Sequence, residues 1–179
     1  LDRLIKDADS KNLASHPYWL KLLHYYGPGE SIGQWSTRSD IVTPGFFLAL
    51  NGRTDPEAEL KATLKSILEP PDEDQDHHAR CRFIARTQWL KEELDFPEMP
   101  EMRCPLFERW ANLDESTGIR VIFVSAYLDN PASSFGHILI QFNTSNRYFG
   151  HTLLSPTLNF GAITNPDDGP IEYALRGLF

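Results

Sequence analysis

The stretch Ile119-Arg-Val-Ile-Phe-Val-Ser-Ala-Tyr127, followed by His137-Ile-Leu-Ile-Gln-Phe142, decides the fold class of this chain of 179 residues. Both segments are rich in β-branched and aromatic residues, which favour strands. The turn-forming sequence Asp129-Asn-Pro-Ala132 lies between them, so the pattern predicts neighbouring antiparallel strands. Three more strand-like segments follow, at 148–154, 155–163 and 171–179.

The chain before residue 114 has a helical pattern instead. Ser15 is a good N-cap with Pro17 in the first turn, and Thr54-Asp-Pro-Glu57 matches a capping box before a second helix. Apolar residues of that second helix share one face, at Leu60, Leu64, Ile67 and Leu68. Further helices are expected over 1–13, 81–94 and 105–113, and 46–50 is open between a strand and a helical turn.

The helical pattern and the strand pattern together predict an α+β fold with two parts. We expect a helical subdomain over residues 1–113 and an antiparallel β core over residues 114–179. The last residues, Glu172-Tyr-Ala-Leu-Arg-Gly-Leu-Phe179, have the composition of a strand interior. We therefore expect the chain to be a piece of a longer protein.

Composition excludes several classes of function. Lys and Arg number 17 and Asp and Glu number 25, so the net charge of −8 argues against a nucleic-acid partner. No apolar run approaches the length of a membrane span.

The loop Asp72–His78 is rich in acids and histidines, but no regular element fixes a ligand geometry there. We interpret it as a solvated loop and predict no metal and no cofactor.

The segment Asn130-Pro-Ala-Ser-Ser-Phe-Gly-His137 is the first candidate for chemistry. It places a histidine at the first position of an apolar strand, where packing alone does not favour one. Gly136 permits close approach of backbone or substrate. His137 is therefore a candidate general base, and the alternative is a histidine that is satisfied by a local carbonyl.

Other polar residues lie near His137 in the predicted hairpins. His151 and Asn159 are candidates to orient its imidazole. Ser133 and Ser134 are candidate nucleophiles for a Ser–His hydrolase, although the G-x-S-x-G pattern is missing. The two cysteines, Cys81 and Cys104, are either buried thiols or a disulfide, and the residues alone leave both open.

Several stretches resemble the Lnb N-terminal periplasmic domain family. They run through most of the chain and include Phe46–Leu60, Cys81–Arg86 and Cys104-Pro105. The block Asn130-Pro-Ala-Ser-Ser-Phe-Gly-His137 is the most specific of them. The resemblance implies a permuted papain-like (NlpC-like) fold in which the histidine strand comes first and an Asn-Cys motif, bearing the nucleophile, comes later.

The resemblance also implies roles for particular residues. His137 becomes the base, with His151 in the place of its orienting partner, and Cys81 and Cys104 become a structural disulfide. On the residues alone, we count Asn159 with His137 and His151 as catalytic. We assign the residues that precede the histidine to substrate binding, namely Ser133, Ser134, Phe135 and Gly136. No Asn-Cys segment occurs within residues 1–179, so we expect the nucleophile downstream and the fragment to be inactive alone.

The implied activity is thiol-dependent acyl transfer in the periplasm or cell envelope, as in N-acylation of lipoproteins. The expected partners are an acyl lipid or lipoprotein and the remainder of the same protein, with membrane association through regions outside this chain. Two alternatives remain: a papain-like cysteine amidase or hydrolase of the envelope, and a non-catalytic binding module. The acyl donor and acceptor are left open.

Overall fold

The computed structural model describes residues 1–25, 38–43, 45–111, 116–124, 137–144 and 157–159. The chain divides into two compact units, Leu1–Cys104 and Pro105–Phe179. The first is helical, and the described part of the second holds one helix and a three-stranded antiparallel sheet, which confirms the α+β class. The division precedes the helix that begins at Pro105, so that helix groups with the sheet.

Five α-helices build the described part of the first unit. They are α1 (Asp2–Ser10), α2 (Pro17–Leu22), α3 (Pro56–Leu68), α4 (Ala79–Arg82) and α5 (Ile84–Glu93). Single 3₁₀ turns lie at Leu13–Ser15 and Gln75–His77. Residues 46–50, for which the sequence allowed a strand or a helical turn, belong to a series of turns that runs from residue 45 to residue 54. No helix or strand forms there.

The caps of α2 and α3 differ from the predicted ones by one residue. The cap of α2 is His16, whose Nδ1 accepts a hydrogen bond from the Tyr18 amide at 3.2 Å. The cap of α3 is Asp55, whose carboxylate accepts from the amides of Glu57 and Ala58. Each cap directly precedes a proline at the first helical position, where a missing N–H does no harm. Ser15 and Thr54 are therefore not the caps.

The Asp55 cap leads to a prediction. Asp55→Ala leaves two amides of the first turn of α3 without their acceptor, so we expect a loss of about 1 kcal/mol in the free energy of unfolding. Urea unfolding followed by circular dichroism measures it. Asp72→Ala removes an exposed carboxylate from a loop and serves as the matched control, with an expected change below about 0.5 kcal/mol.

The predicted helix over 81–94 is interrupted. The backbone of Phe83 leaves the helical region, with φ −125° and ψ 54°, and separates α4 from α5. Buried residues of α1, α2, α3 and α5 form the core of the unit, with Trp19 stacked on Trp89 at a centroid distance of 5.8 Å. The predicted apolar face of α3 is confirmed, because Leu60, Leu64 and Ile67 are all buried.

The second unit contains α6 (Pro105–Ala111) and the strands β1 (Ser116–Val124), β2 (His137–Thr144) and β3 (Thr157–Asn159). β2 lies between β1 and β3, and both pairings are antiparallel. Trp110 of α6 meets Phe142 of β2 edge to face, with the ring centroids 5.8 Å apart. The predicted strands at 148–154 and 171–179 lie outside the described residues.

The two faces of the sheet differ. The register Val121↔Ile140 and Ile140↔Leu158 aligns one set of alternate residues across the three strands. These residues are apolar. All but one of them are exposed, by between 39% for Ile140 and 69% for Val121, namely Ile119, Val121, Phe123, Ile138, Ile140 and Leu158. Phe142, which pairs with Ile119, is half-buried and contacts Trp110. The opposite face carries the positions of two predicted catalytic residues, His137 and Asn159.

Candidate functional site

His137 is the first residue of the middle strand, and its backbone pairs with Val124 of β1. On the other side of β2, Leu139 pairs with Asn159 of β3. Side chains alternate between the faces of a strand, so His137, Leu139 and Asn159 occupy positions on the same face of the sheet. The fold thus brings two of the three predicted catalytic positions onto one face and neighbouring strands. Their catalytic roles stay predictions.

The same face contains a buried polar side chain farther along β2. Gln141 is only 5% exposed, and its Oε1 accepts a hydrogen bond from Arg120 Nη1 of β1 at 3.3 Å. Ile122 and Leu139 are half-buried beside it. Buried amides need hydrogen-bond partners, so the pairing with Arg120 contributes to keeping a polar group within this face. The described part of this face therefore holds a buried polar side chain among half-buried apolar ones.

The remaining predicted site residues lie outside the described residues. They are His151, a predicted catalytic residue, and the predicted substrate-binding residues Ser133, Ser134, Phe135 and Gly136. Their assignments stay predictions.

Cys81 and Cys104 form a disulfide, with their Cα atoms 5.3 Å apart. Cys81 belongs to α4, and Cys104 is the last residue of the first unit. The bond that the family resemblance implies is thus present. Because the sequence has two cysteines, neither thiol is available as a nucleophile while the bond is intact.

The loop Asp72–His78 is arranged by local hydrogen bonds. His77 Nδ1 lies 2.8 Å from an Asp74 carboxylate oxygen, and His78 caps α4 while its Nε2 lies 3.0 Å from the Glu69 carbonyl. Among the residues that the structure describes, no three His, Cys, Asp or Glu side chains converge on a metal position. The loop borders an open cleft of about 400 Å³.

A buried ion pair in the first unit was not anticipated from the sequence. Glu59 of α3 and Arg86 of α5 are joined at 2.7 Å, with side chains that are 0% and 4% exposed. The carboxylate also accepts hydrogen bonds from the backbone amides of Leu48 and Ala49. Glu59 therefore attaches the turn-rich segment 45–54 to the two helices. Burial lowers the pKa of Arg86 to about 10, and Glu59 opposes this shift.

Two aromatic rings enclose the other partner of this pair. The Arg86 guanidinium carbon lies 4.5 Å from the centroid of Phe46 and 4.3 Å from that of Phe83. Its Nη2 donates to the Phe46 carbonyl at 2.9 Å. Arginine is suited to such a place because a planar, weakly hydrated cation can stack and form directed hydrogen bonds together. Phe83, at the break between α4 and α5, is part of this arrangement.

His24 lies beside the same cluster and leads to a prediction on pH. Its ring meets Phe46 edge-on at 5.9 Å, and its backbone is left-handed, with φ 55°. Burial lowers the pKa of His24; the charge of Asp40 opposes this shift and that of Arg86 adds to it. The unfolded chain therefore takes up this proton at a higher pH than the folded chain does. Stability falls as the pH drops below about 6.5.

Urea unfolding between pH 7.5 and 5.5 tests the His24 prediction. His24→Asn should reduce the pH dependence, because asparagine does not titrate and tolerates a positive φ. A variant at position 24 that keeps the full slope would contradict the assignment.

Each of the two units matches a different family model. Residues 11–93 match the model of a domain of unknown function (DUF7843), and residues 106–179 match that of the Lnb N-terminal periplasmic domain. No curated protein and no solved structure gives a match. The family resemblance is thus found in the second unit, whereas Phe46–Leu60 and Cys81–Arg86 fall within the other family.

The second match gives the compartment. Its family is one of periplasmic domains, so this chain is periplasmic. The disulfide is consistent with that compartment, because such bonds persist where the environment is oxidising. Within the described residues, no helix is long and apolar enough to cross a bilayer.

Proposed function

We propose, on the premise that residues 106–179 belong to the Lnb N-terminal periplasmic domain family, that this chain supplies the histidine of an extracytoplasmic thiol-dependent acyltransferase. The observation that carries the proposal is the place of His137, at the start of the middle strand of the sheet. A residue on a paired strand has a defined backbone, and catalytic groups function best on such rigid elements.

In this proposal His137 acts as a general base in two steps. It first takes the proton of a cysteine thiol, and the thiolate attacks an ester carbonyl of the acyl donor. A thioester forms, and the donor leaves as an alcohol that receives the proton. An amine then attacks the thioester, His137 takes the amine proton, and the amide leaves as the thiolate is released and reprotonated.

The nucleophile must come from outside residues 1–179. The sequence contains two cysteines, and both are in the disulfide. A free cysteine in the remainder of the protein would complete the site. Regions outside this chain would likewise provide membrane association, and the substrates would be an acyl lipid and a lipoprotein amine.

The test uses the full-length protein with phospholipid vesicles and a lipopeptide that has a free α-amino group on an S-diacylglyceryl cysteine. Mass spectrometry should detect an N-acylated lipopeptide and an acyl adduct on the protein that hydroxylamine removes, as expected of a thioester. Release of free fatty acid without the amide would indicate an envelope hydrolase instead. Folded protein that gives no adduct and no product would contradict the proposal and favour a binding module.

A further inference from the structure

The connection between the two units is covalently attached to the first of them. The first unit ends at Cys104, and α6 of the second begins at the next residue, Pro105. Cys104 is bonded to Cys81 in α4. With the disulfide intact, the second unit therefore begins directly after a crosslink.

Non-covalent contacts also hold the segment that leads to Cys104 against the first unit. Residues 95–104 contain neither helix nor strand. Phe96 and Met99 pack against the core of the first unit, and Arg80 Nη1 donates to the Pro100 carbonyl at 2.9 Å. Arg80 adjoins Cys81, so α4 attaches the segment both at Pro100 and, through the disulfide, at Cys104.

We propose that the Cys81–Cys104 disulfide is a redox-sensitive tether that determines how much free chain lies between the two units. Without the bond, residues 101–104 keep only non-covalent contacts besides the main chain, such as that of the Arg103 carbonyl oxygen with Cys81 Sγ at 3.5 Å. Four residues span at most about 14 Å when extended. Reduction thus gives the second unit, which carries the His137 strand, a longer connection while the core of the first unit stays folded.

The reaction requires a dithiol as reductant. Its thiolate attacks one sulfur of the bond and forms a mixed disulfide, and its second thiol then displaces the protein sulfur. Two electrons and two protons pass to Cys81 and Cys104, and the reductant leaves as a disulfide. Cys104 is half-buried and Cys81 is 9% exposed, so Cys104 offers the more accessible point of attack.

Limited proteolysis with trypsin tests the proposal independently of any acyl-transfer activity. The peptide bond after Arg103 lies within residues 101–104, and the peptide bonds after Lys61 and Lys91 lie in α3 and α5. The protein is reduced with dithiothreitol under native conditions, alkylated, freed of reductant and digested. Fragments are quantified under reducing conditions, because an intact disulfide would keep the two products together.

We expect cleavage after Arg103 to accelerate by about tenfold or more on reduction, because cleavage depends on how often the segment opens. Cleavage after Lys61 and Lys91 should keep its rate. An unchanged rate after Arg103 would overturn the proposal, and so would resistance of the native bond to the dithiol. An equal acceleration at all three sites would also overturn it, since the bond would then support the whole unit.

A double variant, Cys81→Ser with Cys104→Ser, controls for the bulk of the alkyl groups. It should reproduce the pattern of the reduced protein. Arg80→Leu removes the contact with Pro100 but retains the disulfide, so it should leave the rate after Arg103 within about threefold of the wild type. If the double variant does not fold, reduction of the wild-type protein decides the question.

Discussion

Glu59→Ala is expected to destabilise the first unit by about 3–5 kcal/mol, because it leaves the buried Arg86 cation without its partner. The amides of Leu48 and Ala49 lose their acceptor in the same variant. Unsatisfied buried donors add to the loss. Urea unfolding at pH 7 measures the effect, and the segment 45–54 should become the first to exchange its amide hydrogens.

Glu57→Gln is the matched control for this prediction. Glu57 is on the same helix and pairs with Lys61, but its side chain is 55% exposed. Exposed ion pairs contribute little to stability, so this variant should remain close to the wild type. Glu59→Gln retains an acceptor oxygen and should lie between the two. An effect of Glu59→Ala below about 1 kcal/mol would show that the buried pair is not what attaches the segment.

His137→Ala is expected to lower the rate of acyl transfer by the full-length protein by about 10²–10⁴-fold, the usual contribution of a general base. Both thioester formation and the attack by the amine should slow, because the proposal has His137 take a proton in each. A quench-flow measurement of the acyl adduct, followed by addition of the acceptor lipopeptide, resolves the two steps. The melting temperature reports whether the variant remains folded.

His77→Ala is the control for the loss of an imidazole. His77 is in the first unit, with a side chain that is 81% exposed, and no step of the proposal uses it. Its variant should transfer acyl groups at the rate of the wild type. Retention of more than a tenth of the activity by His137→Ala would remove His137 from the mechanism, although the disulfide tether would be unaffected.

The regular elements were predictable where a local pattern determines them. The β-branched and aromatic residues of 119–127 and 137–142 indicated two strands, and β1 and β2 are paired as antiparallel neighbours. Ser15 and Thr54 are residue types that favour an N-cap, but each lies one position before the actual cap. Proline at the first helical position identifies the residue before it as the cap, which gives His16 and Asp55.

The cluster around Glu59 was not predictable in the same way. A charged side chain next to the apolar face of α3 is usually solvated, and only the approach of α5 and of segment 45–54 makes it a buried partner. The break at Phe83 has the same origin, since its ring contacts Arg86. Such features depend on contacts between residues far apart in sequence, which periodicity does not report.

The candidate site was predictable only as positions along strands. The start of β2 at His137 and the place of Asn159 in β3 follow the sequence pattern. That the two share a face is a result of the register Leu139↔Asn159, and register between strands depends on packing as well as on turns.

The order of the cysteines along the chain has a consequence for biogenesis. A periplasmic chain crosses its membrane from the amino terminus, and Cys81 and Cys104 both precede β1, the first strand among the described residues, which begins at Ser116. The bond joins residues 23 apart in sequence within the first unit, whose described helices share one core. Oxidation can thus be completed on the emerging chain before β1 has arrived. Assembly of the sheet then starts from an end that is already crosslinked to a folded body.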